Sequence, residues 1–127
     1  MTSTSQANLD VAKRFFEAGA GGDVDALRAC YAAEAKIWHN VDGKEQTVDE
    51  NLRISGWVRK NVAGYRYENV QRQATESGFL QQHVIRGTSR NGTELAIASC
   101  LVARVADGKI TRLDEYIDSA ATSALFA

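Results

Sequence analysis

Glycine turns divide the stretch from Tyr65 to Asp118, YRYENVQRQATESGFLQQHVIRGTSRNGTELAIASCLVARVADGKITRLDEYID, into four runs of similar length. The turns are Ser77-Gly78, Asn91-Gly92 and Asp107-Gly108. A glycine that follows a small polar residue is typical of the tight turns that connect antiparallel strands. The stretch therefore predicts an antiparallel meander with strands at residues 65–75, 79–89, 94–105 and 109–118.

The first half of the chain carries the signals of helices. Apolar residues at positions 9–16 recur at helical spacing and are followed by the glycines of positions 19–22, which predicts a first helix. Asp23 has the place of an N-cap and predicts a short second helix. A strand is predicted at residues 35–40, before a turn at 42–43. The capping-box pattern from Thr47 to Glu50 predicts a third helix that continues through Val62.

The order of these elements indicates the fold class. Two helices, a strand, a helix and four long strands point to an α+β domain that spans residues 1–127, because 127 residues are too few for two ordinary domains. Long strands twist strongly. We therefore expect a strongly curved, mostly antiparallel sheet that wraps around the helices and forms a cone with an internal pocket.

Composition excludes several classes of partner. Fifteen Lys and Arg oppose sixteen Asp and Glu, with both signs scattered along the chain, so no basic surface is expected for nucleic acid or for a membrane. The start of the chain, residues 1–6, lacks the basic and apolar parts of a secretory signal, which predicts a cytoplasmic protein. Cys30 and Cys100 lie far apart in apolar segments and are expected to be free, buried thiols.

Several segments resemble the nuclear transport factor 2-like superfamily, which has a cystatin-like fold, and in particular its SnoaL-like branch. The segments are 16–18, 22–27, 31–35, 107–110 and 114–118. The resemblance implies the cone-shaped fold that the element order also predicts. It leaves the activity open, because the superfamily includes ketosteroid isomerases, polyketide cyclases, dehydratases, epoxide hydrolases, lyases and binding modules.

The resemblance also suggests counterparts for functional residues. The catalytic base of ketosteroid isomerase corresponds to His39, and Tyr31 corresponds to a tyrosine of its hydrogen-bond network. The two donors that stabilise the isomerase oxyanion correspond to Phe15 and Leu101, which cannot donate, so that route to steroid isomerisation is not expected. The catalytic aspartate of SnoaL-like polyketide cyclases corresponds to Glu115.

Strand alternation indicates that His39 and Glu115 face the pocket. Glu115 shares a strand face with Leu113 and Ile117, and His39 shares one with Ile37. We expect a desolvated carboxyl with a raised pKa and an acid–base pair with His39. For Glu115 the alternatives are a pair with an arginine such as Arg86 or Arg112 and a place at a solvated rim. For His39 the alternative is a hydrogen bond to a backbone carbonyl.

Other side chains are candidates for binding a ligand in the pocket. Asp118 and Tyr116 are also expected close to the acid–base pair. The orientation of His83 stays open, since polar contacts at an interface or around an internal water explain it equally well. The candidate substrate-binding residues are Phe15, Phe16, Tyr31, Trp57, His83, Leu101, Leu113 and Ile117.

We expect no metal ion and no cofactor, because two distant histidines without an HExxH or CxxC motif provide few ligands. The sequence favours a cofactor-independent enzyme, such as an isomerase, cyclase, dehydratase or related lyase, acting on an apolar organic molecule. A binding or accessory module without turnover and an epoxide hydrolase are the alternatives.

The fourth predicted strand is apolar on both of its faces, which points to a homodimer. A sheet with one core needs only one apolar face, so the second is expected to pack against another copy of the chain. One face of the strand consists of Ala96, Ala98, Cys100 and Val102, and the other of Ile97, Ser99, Leu101 and Ala103.

Overall fold

The computed structural model describes residues 4–127. The expectation for the start of the chain rests partly on Met1–Ser3, which lie outside the described residues. The helices are α1 (Thr4–Gly21), α2 (Val24–Cys30), α3 (Val48–Asn61) and α4 (Ser119–Thr122), and a 3-10 turn follows at Ser123–Phe126. The strands are β1 (Tyr31–His39), β2 (Glu45–Thr47), β3 (Ala63–Ala74), β4 (Gly78–Thr88), β5 (Glu94–Ala106) and β6 (Lys109–Ile117).

The six strands form one sheet with the order β2-β1-β6-β5-β4-β3. Strands β3 to β6 are successive antiparallel neighbours, so the predicted meander is confirmed. Strand β1 pairs in parallel with β6 and places His39 beside Glu115. This pairing joins the first and last thirds of the chain, and it brings the two predicted acid–base residues onto neighbouring strands.

Side-chain caps fix the starts of the second and third helices. The Asp23 side chain accepts a hydrogen bond from the backbone N–H of Ala26. Both bonds of the capping box are present: the backbone N–H of Glu50 donates to Thr47 Oγ1 at 3.2 Å, and the backbone N–H of Thr47 donates to Glu50 Oε1 at 3.0 Å. Both helix starts are therefore where the sequence predicts them.

Three parts of the fold differ from the prediction. Strand β1 begins at Tyr31 instead of position 35, the three-residue strand β2 was not expected, and neither were the short helical turns after Asp118. Strand β2 lacks a hydrophobic pattern and exists because it pairs with the free edge of β1. Asp118 caps α4 by accepting from the backbone N–H groups of Ala120 and Ala121, so it is not a residue of the pocket.

The helices cover the concave face of the sheet. Helix α1 packs against β3 and β4, and α3 packs against β1 and β3. The core contains the predicted aromatic residues of α1, Phe15 and Phe16, which are 8% and 4% exposed. This arrangement of helices within a curved sheet confirms the α+β cone. Cys30 is buried, Cys100 is half-buried, and both thiols are free.

The convex face of the sheet carries an apolar strip that the described part of the chain does not cover. On β5, Ala96 and Ala98 are exposed, while Cys100 and Val102 are half-buried. Tyr116 on β6 is 51% exposed on the same face and packs against Trp38 of β1, so it lies away from the pocket. Among residues 4–127, no helix is long and apolar enough to cross a membrane.

Candidate active site

An acid–base pair lies where β1 and β6 run side by side. His39 Nε2 is 2.9 Å from Glu115 Oε1, and both side chains are mostly shielded from solvent, with exposures of 23% and 15%. The parallel register places the two residues directly opposite each other. The structure therefore brings together the two side chains that the sequence nominates as acid and base, and Glu115 pairs with no arginine among the described residues.

Ser99 is a third member of this cluster. Its hydroxyl donates a 2.7 Å hydrogen bond to Glu115 Oε2, so each carboxylate oxygen has one partner. Sequence reasoning did not single out Ser99. The hairpin around the Asp107-Gly108 turn could have indicated Ser99. Its register places Leu101 opposite Glu115, and Ser99 lies two residues before Leu101, on the same inward face of β5.

The pair stabilises the charged form of both groups. Burial alone would raise the pKa of Glu115, but the hydrogen bond and charge of His39, with the bond from Ser99, lower it below its ordinary value. Burial would lower the pKa of His39, but the bond to Glu115 and the charges of Glu115 and Asp42 raise it. The expectation of a raised Glu115 pKa is therefore wrong, because the carboxylate has partners that outweigh its desolvation.

Asn40 holds the pair in register. Its Nδ2 donates to the backbone carbonyl of Ile117 at 3.1 Å, and the backbone N–H of Ile117 donates to Asn40 Oδ1 at 2.9 Å. The backbone N–H of Asn40 also donates to the carbonyl of Glu115. These bonds continue the pairing of β1 with β6 beyond the last residue of β1, so His39 is fixed opposite Glu115.

The pair faces a cavity of about 270 Å³ inside the cone. Most of the predicted ligand-binding residues line it, together with His39 and Glu115. These residues are Phe15, Phe16, Tyr31, His83, Leu101, Leu113 and Ile117. Burial raises the pKa of the Tyr31 phenol well above its ordinary value, so this hydroxyl stays protonated. The cavity thus combines apolar and aromatic walls with polar groups, as small-molecule sites do.

Trp57 does not line the cavity, so its predicted place in the wall is wrong. Its ring packs against Phe126, with centroids 5.4 Å apart, and the Arg90 guanidinium lies over it at 4.8 Å. The neighbouring residue Val58 lines the cavity instead. One position along a helix changes the direction of a side chain by about 100°, and the C-terminal 3-10 turn provides a partner for Trp57, Phe126, that the sequence did not predict.

Arg59 is a cationic member of the cavity wall that sequence reasoning missed. It donates from Nε to the carbonyl of Gly19 and from Nη2 to Tyr67 Oη at 3.1 Å, and its guanidinium lies 3.5 Å from the ring centroid of Tyr65. A Cβ on Gly19 would lie 2.8 Å from Tyr67 Oη, so glycine is needed there for this arrangement. Leu52 lies seven positions before Arg59, so helical spacing from this apolar residue could have suggested that Arg59 faces the interior.

His83 lies deeper in the same wall and is only 4% exposed. Its ring packs at 4.4 Å from Tyr67 and at 5.7 Å from Phe16, measured between ring centroids. Its Nδ1 is 2.8 Å from Gln81 Nε2, and burial lowers its pKa to about 4. The structure therefore settles the orientation that the sequence left open, since His83 faces the cavity and not the convex surface.

Comparison with known proteins agrees with this geometry. The model of the SnoaL-like domain family matches residues 12–113. The chain belongs to the SnoaL-like domain family. An uncharacterized protein of Mycobacterium tuberculosis (strain ATCC 25618 / H37Rv) is 30% identical to this SnoaL-like domain over 131 aligned residues, which cover 98% of this chain and 99% of the relative. The resemblance stated from the sequence is thus confirmed.

Solved structures share the fold of this SnoaL-like domain. A candidate polyketide cyclase from Xanthomonas campestris has a TM-score of 0.84 at 18% identity, covering 97% of this chain and 99% of that one. An LEH-like epoxide hydrolase of Mycobacterium tuberculosis has a TM-score of 0.78 at 16% identity, covering 98% and 92%. A nuclear transport factor 2-like protein from Burkholderia xenovorans has a TM-score of 0.79 at 20% identity, covering 98% and 99%. At these identities the likeness establishes the fold.

Within residues 4–127, no group of three or more His, Cys, Asp and Glu side chains is arranged to hold a metal ion. The ionisable groups that line the cavity include the carboxylate of Glu115, the imidazole of His39, the guanidinium of Arg59 and the neutral imidazole of His83, beside Asp42 and three tyrosines. Such a set can move a proton on a bound molecule and stabilise the charge that develops.

Proposed function

We propose that this SnoaL-like domain is a cofactor-independent enzyme that transfers a proton on an apolar organic molecule held in the cavity. The observation that carries the proposal is the 2.9 Å contact between His39 and Glu115 on the cavity wall. Proton transfer by a positioned side chain requires a group in the correct protonation state within reach of the substrate. The isomerase, cyclase, dehydratase and lyase reactions of the superfamily all contain such a step.

The directions of the pKa shifts support separate roles for the two residues. The lowered pKa of Glu115 keeps it ionised at neutral pH, so it acts as the base. The raised pKa of His39 favours its imidazolium, so it acts as the acid and stabilises the carboxylate between turnovers. Because the two groups share a proton, they titrate as one coupled pair.

Hydrogen–deuterium exchange tests this proposal without knowledge of the natural substrate. Small apolar molecules with acidic C–H bonds, such as 2-tetralone and phenylacetonitrile, are incubated with the protein in deuterium oxide and followed by proton NMR. We expect the wild-type protein to catalyse exchange and Glu115→Gln to reduce the rate roughly 100-fold or more. Full exchange by Glu115→Gln contradicts the role of this residue.

Asp114→Asn is a matched control for Glu115→Gln. Asp114 is the neighbouring carboxylate on β6, but it pairs with Arg112 at 3.0 Å and does not line the cavity. The control should therefore keep the wild-type exchange rate. His39→Ala should also slow exchange, and the double variant should lose less than the product of the two single losses, because the two residues act as a unit.

Two other functions predict different results. A module that only binds a hydrophobic ligand would retain these molecules in the cavity without exchange in the wild-type protein. An epoxide hydrolase would incorporate solvent oxygen into its product. The resemblance associates that activity with two aspartates and an arginine, whereas Asp42 is the one aspartate that lines the cavity among residues 4–127. Acid–base chemistry by His39 and Glu115 therefore has the stronger support.

A further inference from the structure

His83 carries an unused hydrogen-bonding atom inside the cavity wall. The side chain lines the cavity and is almost completely buried, yet Nε2 has no hydrogen-bond partner within the described chain. Buried polar atoms of folded proteins nearly always have a partner, since an unpaired one costs about 1–3 kcal/mol. An unpaired nitrogen on a residue of the cavity wall is therefore a sign that a bound molecule provides the partner.

Hydrogen bonds behind His83 determine which of its nitrogens carries the proton. Arg72 Nε donates to Gln81 Oε1 at 2.7 Å, and arginine has no acceptor atoms, so the Gln81 oxygen must face Arg72. The Gln81 amide nitrogen then faces His83 Nδ1 at 2.8 Å and can only donate. Nδ1 is therefore the acceptor, and the proton of the neutral ring lies on Nε2.

The same contacts keep the ring neutral. A protonated ring would place an N–H on Nδ1 directly against the amide N–H of Gln81. Burial lowers the pKa of His83 to about 4; the charge of Glu115 opposes this shift, and the charge of Arg72 adds to it. At neutral pH, His83 is thus an uncharged imidazole that presents one N–H donor.

We propose that the Nε2–H group of His83 is a fixed donor for an oxygen atom of the bound molecule, and that this molecule is a carbonyl compound. The inference rests on the proposed function in locating substrate in this cavity and extends it to the chemical class of the substrate. A cation or a molecule without an acceptor atom leaves this donor unpaired. A carbonyl oxygen satisfies it and can also take up negative charge.

The positions of His83 and Glu115 suit a proton abstraction beside a carbonyl group. His83 pairs across β4 and β5 with Ser99, and Ser99 donates to Glu115, which lies on β6 two residues out of register with it, so roughly 12 Å separates the two backbones. Glu115 removes the proton from the carbon next to the carbonyl. The C–H electron pair forms a carbon–carbon double bond, the carbonyl π pair moves to oxygen, and the enolate oxygen accepts the hydrogen bond from Nε2–H. A neutral imidazole is a suitable electrophile for this step.

Nitrogen-15 NMR of histidine-labelled protein tests the state of the His83 ring. In the wild-type protein we expect a protonated Nε2 and an unprotonated Nδ1 from pH 5.5 to 8. In Gln81→Glu the amide donor becomes a carboxylate acceptor, so Nδ1 should gain a proton and the pKa of His83 should rise. An imidazolium, or a neutral ring protonated on Nδ1, in the wild-type protein at pH 7 overturns the proposal.

Binding of acetophenone and ethylbenzene tests the donor itself. The two probes differ in a carbonyl oxygen, and one hydrogen bond should give acetophenone roughly tenfold tighter binding. The infrared carbonyl band of labelled acetophenone should move to lower frequency in the wild-type protein. Both effects should be lost in His83→Phe, which keeps a ring of similar size. A carbonyl band that is the same in wild type and His83→Phe overturns the proposal.

Glu115→Gln separates a failure of this inference from a failure of the proposed function. It should retain the band shift of acetophenone, because His83 and not Glu115 donates to the oxygen. A band shift without deuterium exchange in the wild-type protein supports the donor site and rejects the enzyme. Exchange without a band shift supports the enzyme and rejects His83 as the donor.

Discussion

Asn40 and Ile117 exchange two hydrogen bonds in which the side-chain amide of Asn40 replaces a backbone peptide group. This contact closes the end of the pairing between β1 and β6, next to His39 and Glu115. Asn40→Ala should lower the free energy of unfolding by about 1–2 kcal/mol and slow deuterium exchange, because His39 is no longer held in place. Chemical unfolding and the exchange assay measure the two effects.

Asn40→Asp provides a second comparison. It keeps the acceptor for the Ile117 N–H but turns a carboxylate oxygen toward the Ile117 carbonyl oxygen, so its exchange rate should be no higher than that of Asn40→Ala. An unchanged exchange rate in Asn40→Ala would show that the pair keeps its geometry without this contact.

Stability should depend on pH through the His39–Glu115 pair. The lowered pKa of Glu115 gives a contribution that is present above its ordinary value of 4.5 and is lost as pH falls through the folded pKa. The raised pKa of His39 gives a contribution that is present below 6.5 and is lost as pH rises through its folded pKa. The stability difference between wild type and Glu115→Gln should therefore be largest between pH 4.5 and 6.5, as measured by chemical unfolding across the pH range. A difference that does not vary with pH contradicts the coupling.

Two glycines of α1 make a matched pair for testing the contact between Arg59 and Tyr67. A Cβ on Gly21 meets nothing within 4 Å, so Gly21→Ala should gain up to about 1 kcal/mol from helix propensity. A Cβ on Gly19 lies 2.8 Å from Tyr67 Oη, so Gly19→Ala should lose that gain and displace the Tyr67 ring. Thermal unfolding and tyrosine NMR shifts measure the contrast. Equal midpoints of thermal unfolding for Gly19→Ala and Gly21→Ala would show that the Tyr67 ring can move aside at little cost in stability.

The start of α3 depends on its capping box. Thr47→Ala removes the acceptor of the Glu50 N–H and should cost about 1 kcal/mol of stability, whereas Thr47→Ser keeps the hydroxyl and most of the stability. Thermal unfolding of the two variants compares them directly. Deuterium exchange should change little, because Thr47 and Glu50 are exposed and do not line the cavity. Equal stability of wild type and Thr47→Ala would mean that another group satisfies this helix end.

The convex face of the sheet should form a homodimer interface. Its apolar strip on β5 is exposed or half-buried in the single chain, and a two-fold interface is the commonest cover for such a face. Sedimentation at micromolar concentration should give twice the 13.9 kDa chain mass. Ala98→Glu places a charge in the strip and should yield monomers, whereas Lys13→Glu on the exposed side of α1 should not. A wild-type monomer would refute the interface.

Local signals predicted most of the elements, while contacts between distant segments were the source of the errors. The capping box at Thr47 and the glycine turns are chemistry of a few neighbouring residues, so they can be located from the sequence alone. The parallel pairing of β1 with β6 cannot be located in this way, because many registers agree with the same alternation of inward and outward side chains. The pKa of Glu115 depends on both His39 and Ser99. Strand alternation predicted that Glu115 faces the pocket, but it could not predict these two hydrogen-bond partners. The sequence also could not predict the hydrogen bond between Gln81 and His83, because the contact with Arg72 determines the orientation of the Gln81 amide.

The parallel pairing of β1 with β6 also has a consequence for how the protein folds. Asn40 and Ile117 are separated by 77 positions along the chain, so their contact requires closure of a very long loop. Contacts of this kind are slow to form compared with hairpins such as β4–β5. We therefore expect the meander to assemble first, with β1 joining it in a late step. A refolding chain would then recover most of its secondary structure before it recovers proton transfer, and the delay between the two signals would report the arrival of β1.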